Sequence, residues 1–394
     1  MFSDRVPWPH RENRLTRALR ERRAGGAPVI DLTETNPTRA GLDYPADAIA
    51  AAFADPAAAA YAPEPRGLPA AREEVAAWLG ARGRPVAPDR LVLTASTSEA
   101  YAHLFTILCA PGESVLVPQP SYPLFEHLAR LDGVVAAPYP LDADHDFRLD
   151  VAALAAAIDQ APRPRAVVVV SPNTPTGTAL RAAERDDLDR LCAARGLAVI
   201  SDEVFFEYLF ADEDRGGPPV SLAAGRREAL TFTLGGLSKA CGLPQMKLGW
   251  IVTSGPDTLR DEALGRLDFV ADAFLSVGTP VQLAAGRLLA VGDRIFRQIM
   301  ARVRENLTHL ETLVAPGSSV RLLPADGGWS AVLRVPAVRS EEELVLVILQ
   351  QDGVLVHPGF FFDFPREAYL VVSLLPTPEE FRTGMERVIR RSLT

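Results

Sequence analysis

Between residues 90 and 255 short apolar runs alternate with longer stretches of helical periodicity, and this alternation organises the chain. Runs at 91–94, 114–117, 134–138, 166–171, 197–201, 230–234 and 247–253 are predicted strands. Several are apolar almost without a break, the pattern of strands buried on both faces of a mainly parallel sheet. Helical stretches between them, such as 183–195, complete β-α-β units. Upstream, residues 1–45 read as an arm with little periodicity and one short strand at 29–32. Ala-rich helices follow over 46–82, broken by a Pro-rich loop at 61–67. After Pro280 a long amphipathic helix is predicted to run to Leu313. The pattern then changes, with strands near 320–323, 329–335, 354–356 and 369–375 and helices near 340–351 and 377–391. The expected fold class is α/β. A large three-layer α/β/α domain over 46–285 would carry a mostly parallel seven-stranded sheet. Residues 1–45 and 286–394 would form a smaller α+β domain.

Composition narrows the function classes. A net charge of -9 over 394 residues argues against a nucleic-acid or anionic-membrane partner. No apolar run reaches the roughly 18 residues that span a bilayer, and the Arg-rich N-terminal stretch lacks the apolar core of a secretory signal. Cys109, Cys192 and Cys241 show no metal or redox spacing and fit reduced thiols, so a cytoplasmic location is expected. The six histidines form no HExxH pair, and no metal is expected. No GxGxxG follows a predicted strand and no GxxxxGK[ST] occurs, so a nucleotide-binding fold lacks its glycines.

The candidate chemistry gathers around Leu234-Gly235-Gly236-Leu237-Ser238-Lys239-Ala240-Cys241-Gly242-Leu243-Pro244. One lysine stands in an apolar, glycine-bracketed turn, where burial would depress its pKa and free the amine for carbonyl chemistry. An exposed loop lysine has the same local sequence. Asp202 ends a predicted buried strand, the ligand edge of a parallel sheet, although a helix-capping aspartate also stands there. Ser96, Thr97 and Ser98 lie between a strand and a helix, where free amides and the helix dipole favour a phosphate. With Glu99 close behind, they equally form an ordinary cap.

Taken together, these stretches resemble the class I/II aminotransferases, the fold-type-I enzymes of the aspartate aminotransferase superfamily that carry pyridoxal 5'-phosphate (PLP), and the likeness covers nearly the whole chain. The resemblance makes Lys239 the Schiff-base lysine, with Ser238 beside it and Lys247 as the basic residue eight positions on. It makes Asp202 the partner of the pyridine nitrogen, and Ser96, Thr97 and Ser98 the phosphate site. Tyr122, in Gln119-Pro120-Ser121-Tyr122-Pro123, matches the aromatic that stacks on the ring. Tyr61 and Thr279, in Gly278-Thr279-Pro280, match residues that serve the partner subunit's site, so the resemblance implies a homodimer with shared active sites.

Departures from the pattern concern the cofactor's phenolic oxygen and the substrate. The family's Asn-Pro-Thr-Gly is here Thr174-Pro175-Thr176-Gly177, with Asn173 one place early. The usual tyrosine three residues after the aspartate is Phe205. Two donors to one anionic oxygen are weakened or lost, each worth roughly 1.5–3 kcal/mol, so the Schiff base is expected to hold its proton to higher pH than in relatives. Gly236 replaces a serine and Lys247 an arginine at the phosphate, which keeps the charge but loses the bidentate fork. The arginine that clamps the substrate carboxylate reads Val371. Asn36, Arg39 and Arg366 are the candidate substrate residues. The expected reaction is transamination between an amino donor, by family default an amino acid, and a keto acid. A PLP lyase of the C–S type and a non-catalytic PLP-fold protein are the alternatives.

Overall fold

The structure, a computed structural model, describes residues 2–6, 12–210, 217–314 and 317–393. Seven strands form one sheet in the spatial order Leu91–Thr94, Gly249–Ser254, Thr231–Gly236, Ala198–Asp202, Pro164–Val170, Ser114–Gln119 and Val135–Pro140. All pair in parallel except Gly249–Ser254, which runs antiparallel to both neighbours. Side chains alternate with period two along these strands. Val92, Val115, Val168, Ile200, Phe232 and Ile251 pack with Leu104, Phe105, Leu264 and Leu267 from helices Thr97–Leu108 and Asp257–Phe274. Leu116, Val167, Val169 and Val199 pack instead with Leu154, Ile158, Leu188 and Cys192 from helices Val151–Gln160 and Ala182–Arg195. Both faces are covered, which is why the strands read as continuous apolar runs. The fold is α/β in three layers, as the periodicity predicts.

A second, antiparallel sheet is ordered His357–Pro358, Tyr369–Ser373, Ser330–Arg334, Arg321–Leu322. In the N-terminal arm Ile30–Asp31 pairs in parallel with Val354–Leu355, so the two ends of the chain meet. The helix Ala285–Leu313 turns a stripe of Leu288, Ile295, Ile299, Val303 and Leu310 inward.

Some elements differ from the expectations. The arm contains a helix, Arg14–Ala24, that a scan for apolar periodicity passes over because Leu15 alone is fully buried. Its start is set by Asn13, whose side chain accepts from Thr16 N at 2.7 Å. The helix predicted after Pro280 is broken at Ala284 into Thr279–Leu283 and Ala285–Leu313. The predicted 340–351 helix is regular over Glu341–Val347 and widens to a π-turn over Ile348–Asp352 before Gly353 stops it at φ 69°. The strand predicted from Lys247 starts at Gly249, because Lys247 itself is left-handed, with φ 55°.

The segment Ala325–Trp329 crosses from the second sheet to the edge of the first and is bolted there. Asp326 N and Gly327 N donate to Gly177 O at 2.9 and 3.1 Å, Phe210 N donates to Asp326 O at 2.8 Å, and Gly328 N donates to Tyr208 O at 3.0 Å. The buried Asp326 carboxylate takes Arg181 Nη2 at 2.6 Å and Ala179 N at 2.9 Å. Gly177 stands at φ +72°, and a Cβ there would meet Ala325 Cβ and Gly327 O at 2.6 Å. Left-handed backbone and lack of space therefore coincide at this position. Gly177→Ala is expected to lower unfolding stability by roughly 2–3 kcal/mol, read as a reduced urea midpoint at constant m-value; an unchanged midpoint would show that the joint yields.

Candidate active site

The C-terminal ends of Ala198–Asp202 and Thr231–Gly236 bring Asp202 and Lys239 to one sheet edge. Asp202 is buried; its carboxylate accepts from Tyr101 Oη at 3.0 Å and from Val204 N at 3.1 Å. Burial raises its pKa, opposed by those two donors and by Lys239. Tyr101 had no role in the sequence reading. It lies one turn beyond Thr97 on the helix Thr97–Leu108, so helical spacing from the candidate phosphate residues was the signal that could have found it.

Lys239 follows in a single helical turn, Leu237–Ala240, entered through Gly236. Tyr208 Oη donates to Lys239 O at 2.8 Å and Tyr44 Oη to Gly242 O at 2.6 Å, fixing the backbone of the turn. The Nζ lies 4.9 Å from the Trp329 ring centroid and 5.4 Å from that of Phe205, and these two rings meet edge-on at 5.2 Å. Desolvation pulls the lysine pKa down from its usual value to about 8, while the Asp202 carboxylate works against that fall. Among all 41 lysines and arginines, Lys239 and Lys247 are the only lysines, and both lie in this one stretch.

Two glycines let the neighbouring turns converge. A Cβ on Gly249 would meet Thr94 Oγ1 at 3.1 Å and the Ser96 carbonyl carbon at 3.2 Å, and one on Gly236 would meet Gly249 Cα at 3.1 Å. The Ser96 turn, the Ser238 turn and the Lys247 loop are thereby packed together. Ser96 caps the helix Thr97–Leu108, its Oγ accepting from Glu99 N at 3.2 Å while Glu99 takes Ala95 N at 2.6 Å. The first intrahelical bond is Ala100 N to Ser96 O at 3.0 Å, so the Thr97 and Ser98 amides precede the ladder. Lys247 is exposed.

Tyr122 is 46% exposed; its phenol is pushed up by burial and, second, by the Asp202 carboxylate, which places it within reach of that group. Asn173 is buried and committed to the scaffold, its Nδ2 donating to Pro120 O at 3.1 Å and Thr176 Oγ1 at 2.9 Å. Thr174 is half-buried beside it. Tyr61 and Thr279 do not join this group; they line another cavity with Val277, Gly278 and Gln282. Tyr61 is 81% exposed, as are Phe269 (80%) and Phe274 (69%) on the helix Asp257–Phe274. Arg39 and Arg366 are exposed, and Asn36 spends its Oδ1 on Thr38 N at 3.1 Å. Val371 is buried at the centre of the second sheet, paired with Val332 and His357, in a cluster with Phe147, Phe364 and Tyr369. Among the described residues no group of His, Cys, Asp and Glu could hold a metal ion, and no helix is long and apolar enough to cross a membrane.

A three-layer α/β fold with a desolvated lysine and a buried carboxylate at one sheet edge is the architecture of the fold-type-I PLP enzymes. The chain belongs to the aminotransferase class I and II family, whose pattern matches residues 27–388. It is 26% identical over 373 residues to the glutamate-pyruvate aminotransferase AlaA of Escherichia coli K12, covering 93% of this chain and 90% of that protein. It is 30% identical over 389 residues to the LL-diaminopimelate aminotransferase of Desulforudis audaxviator, covering 96% and 94%. An aminotransferase structure from Escherichia coli superposes with TM-score 0.85 at 23% identity, covering 100% of this chain and 98% of that one. The protein is an aminotransferase, an enzyme of the PLP-dependent class.

The lysine's environment has a direct consequence. Reductive methylation of the cofactor-free protein, followed by peptide mapping, is expected to give Lys239 labelling with a midpoint near pH 8. Asp202→Asn should move that midpoint lower, because the carboxylate is the group that favours the charged amine. A midpoint in the ordinary lysine range would overturn the desolvated site.

Proposed function

We propose that the protein transfers an amino group from an amino donor to a keto acid, with PLP held at Lys239. The observation that carries this reading is the buried amine of Lys239, its pKa lowered to about 8, in electrostatic contact with buried Asp202. Bound PLP supplies an electron-withdrawing pyridinium that stabilises negative charge at the substrate's reacting carbon. Asp202 would keep the pyridine nitrogen protonated, and a carboxylate already fixed by Tyr101 and Val204 needs no rearrangement to do so. Ser96, Thr97, Ser98, Ser238 and Lys247 would take the phosphate, with first-turn amides and one point charge. Tyr122 would cover the ring face. The amine of Lys239, once free, would act as the general acid and base that takes the proton from the donor's reacting carbon, a role suited by a pKa near 8.

Thr174 and Phe205 stand where two hydrogen-bond donors to the phenolic oxygen are usual, and Phe205 is packed against Trp329. Tyr61 and Thr279, on a face that also bears Phe269 and Phe274, support a homodimer in which each copy completes its neighbour's site. Residues 46–285 would form the PLP domain and 1–45 with 286–394 the smaller one, the enzyme working in the cytoplasm.

Borohydride reduction of the PLP-loaded protein should fix the cofactor's mass on Lys239 and leave Lys247 free; addition of an amino donor should bleach the visible band, and a keto acid should restore it. A mass on Lys247, or no band with added PLP, would sink the assignment. A lyase would turn over without the keto acid. The visible band is expected to titrate at higher pH than in relatives that keep both donors, and Phe205→Tyr to bring that midpoint down by restoring one donor.

A further inference from the structure

The loop after the second-sheet strand His357–Pro358 reads Gly359-Phe360-Phe361-Phe362-Asp363-Phe364. Its shape is fixed from behind. Glu341, 2% exposed, accepts from Phe360 N at 2.9 Å and from Tyr369 N at 2.7 Å, gripping the loop at both ends. Gly359 permits this approach, since a Cβ there would meet Tyr369 Cβ at 2.7 Å. From the front, Ser121 N donates to Phe362 O at 3.0 Å, which ties the loop to the turn that carries Tyr122.

Two large rings consequently stand half out of the protein on segments joined by one hydrogen bond. Tyr122 and Phe360 are each 46% exposed, and Phe361 meets Phe360 edge-on at 4.9 Å. After burial, the Asp202 carboxylate is what raises the Tyr122 phenol, so the turn to which the loop is tied adjoins the candidate cofactor site. Exposed rings on a rigid mouth are what an apolar ligand group would cover. The charge around them disfavours an acidic one: burial and, second, the nearby Glu126 carboxylate raise the pKa of Asp363 on the same loop. The position that would offer a carboxylate its cation is Val371, sealed in the cluster with Phe147, Phe364 and Tyr369.

We propose that Phe360, on the loop tied to the Tyr122 turn, forms the apolar wall of the subsite for the donor's side chain, and that the preferred donors are amines with a large apolar substituent, aromatic or branched aliphatic, over dicarboxylic amino acids. This rests on the transaminase reading given above, which it narrows to a substrate class.

The test uses the PLP-loaded protein in single-turnover bleaching with phenylalanine, leucine, alanine, aspartate and glutamate. Phenylalanine and leucine should exceed aspartate and glutamate in kcat/KM by roughly tenfold or more. Phe360→Ala should collapse the phenylalanine-to-alanine ratio, chiefly through KM, and Phe360→Leu should retain part of it. In a binding experiment that needs no turnover, 3-phenylpropionate should quench the protein's fluorescence at lower concentration than succinate. Faster reaction with an acidic donor, above all if abolished by Arg366→Ala, would overturn the subsite, as would a ratio indifferent to Phe360. If no donor bleaches the band, the transaminase reading itself falls and this inference with it; if only acidic donors do, the subsite alone is wrong.

Discussion

The cost of keeping an amine dry is the constraint around which the site is arranged. A lysine prefers its charged, hydrated form by a wide margin, and removing water from it makes the neutral form competitive at physiological pH. Here the Phe205 and Trp329 rings and the apolar floor of the sheet displace that water, while Asp202 limits the fall in pKa to about 8. Without the carboxylate the amine would be a weaker proton carrier; without the rings it would be an ordinary surface ammonium. The two effects are balanced by placing both groups at the ends of adjacent parallel strands, where the register pairs Asp202 with Leu234, five residues before the lysine.

That balance depends on the far end of the chain. Trp329 directly precedes the second-sheet strand Ser330–Arg334, and it reaches the lysine because Asp326, Gly327 and Gly328 are bonded to Gly177, Tyr208 and Phe210 at the edge of the first. The Arg181–Asp326 pair reinforces the joint from inside the protein. A buried ion pair contributes little net stability when intact, yet removing one partner strands a charge. It therefore specifies where the segment docks more than it stabilises the fold.

The large sheet was legible because all its strands except the edge strand Val135–Pro140 are largely buried: 91–94 was readable to the residue, and others, such as the strand starting at Ser114, differed only at their ends. The helix Arg14–Ala24 was not, since Arg-rich sequence with a single fully buried leucine carries almost no periodic signal and the helix is held by docking. Lys239, Asp202 and the Ser96 turn were visible because each sits at a strand end with local punctuation. Tyr101 and Trp329 were not. One lies on an apolar helix face and the other in a strand approach, and only tertiary folding brings them to Asp202 and Lys239 across 101 and 90 positions of chain.

The substituted positions have a common physical direction. On the resemblance to the family, Phe205 would replace a tyrosine, Val371 an arginine and Thr174 an asparagine, each change removing or shortening a polar group. Val371 does more than lack a charge: with Val332, Phe364, Tyr369 and Phe147 it has become part of the packing that seats the second sheet on the large one. An arginine could not be restored there without burying its charge in that cluster, at a cost of several kcal/mol. In the proposed reading a substrate would be oriented from another element, and the Gly359–Phe362 loop is bonded to the Tyr122 turn. With Val371 sealed in the packing, the half-exposed rings of Tyr122 and Phe360 are the surface on which the proposed subsite would be built.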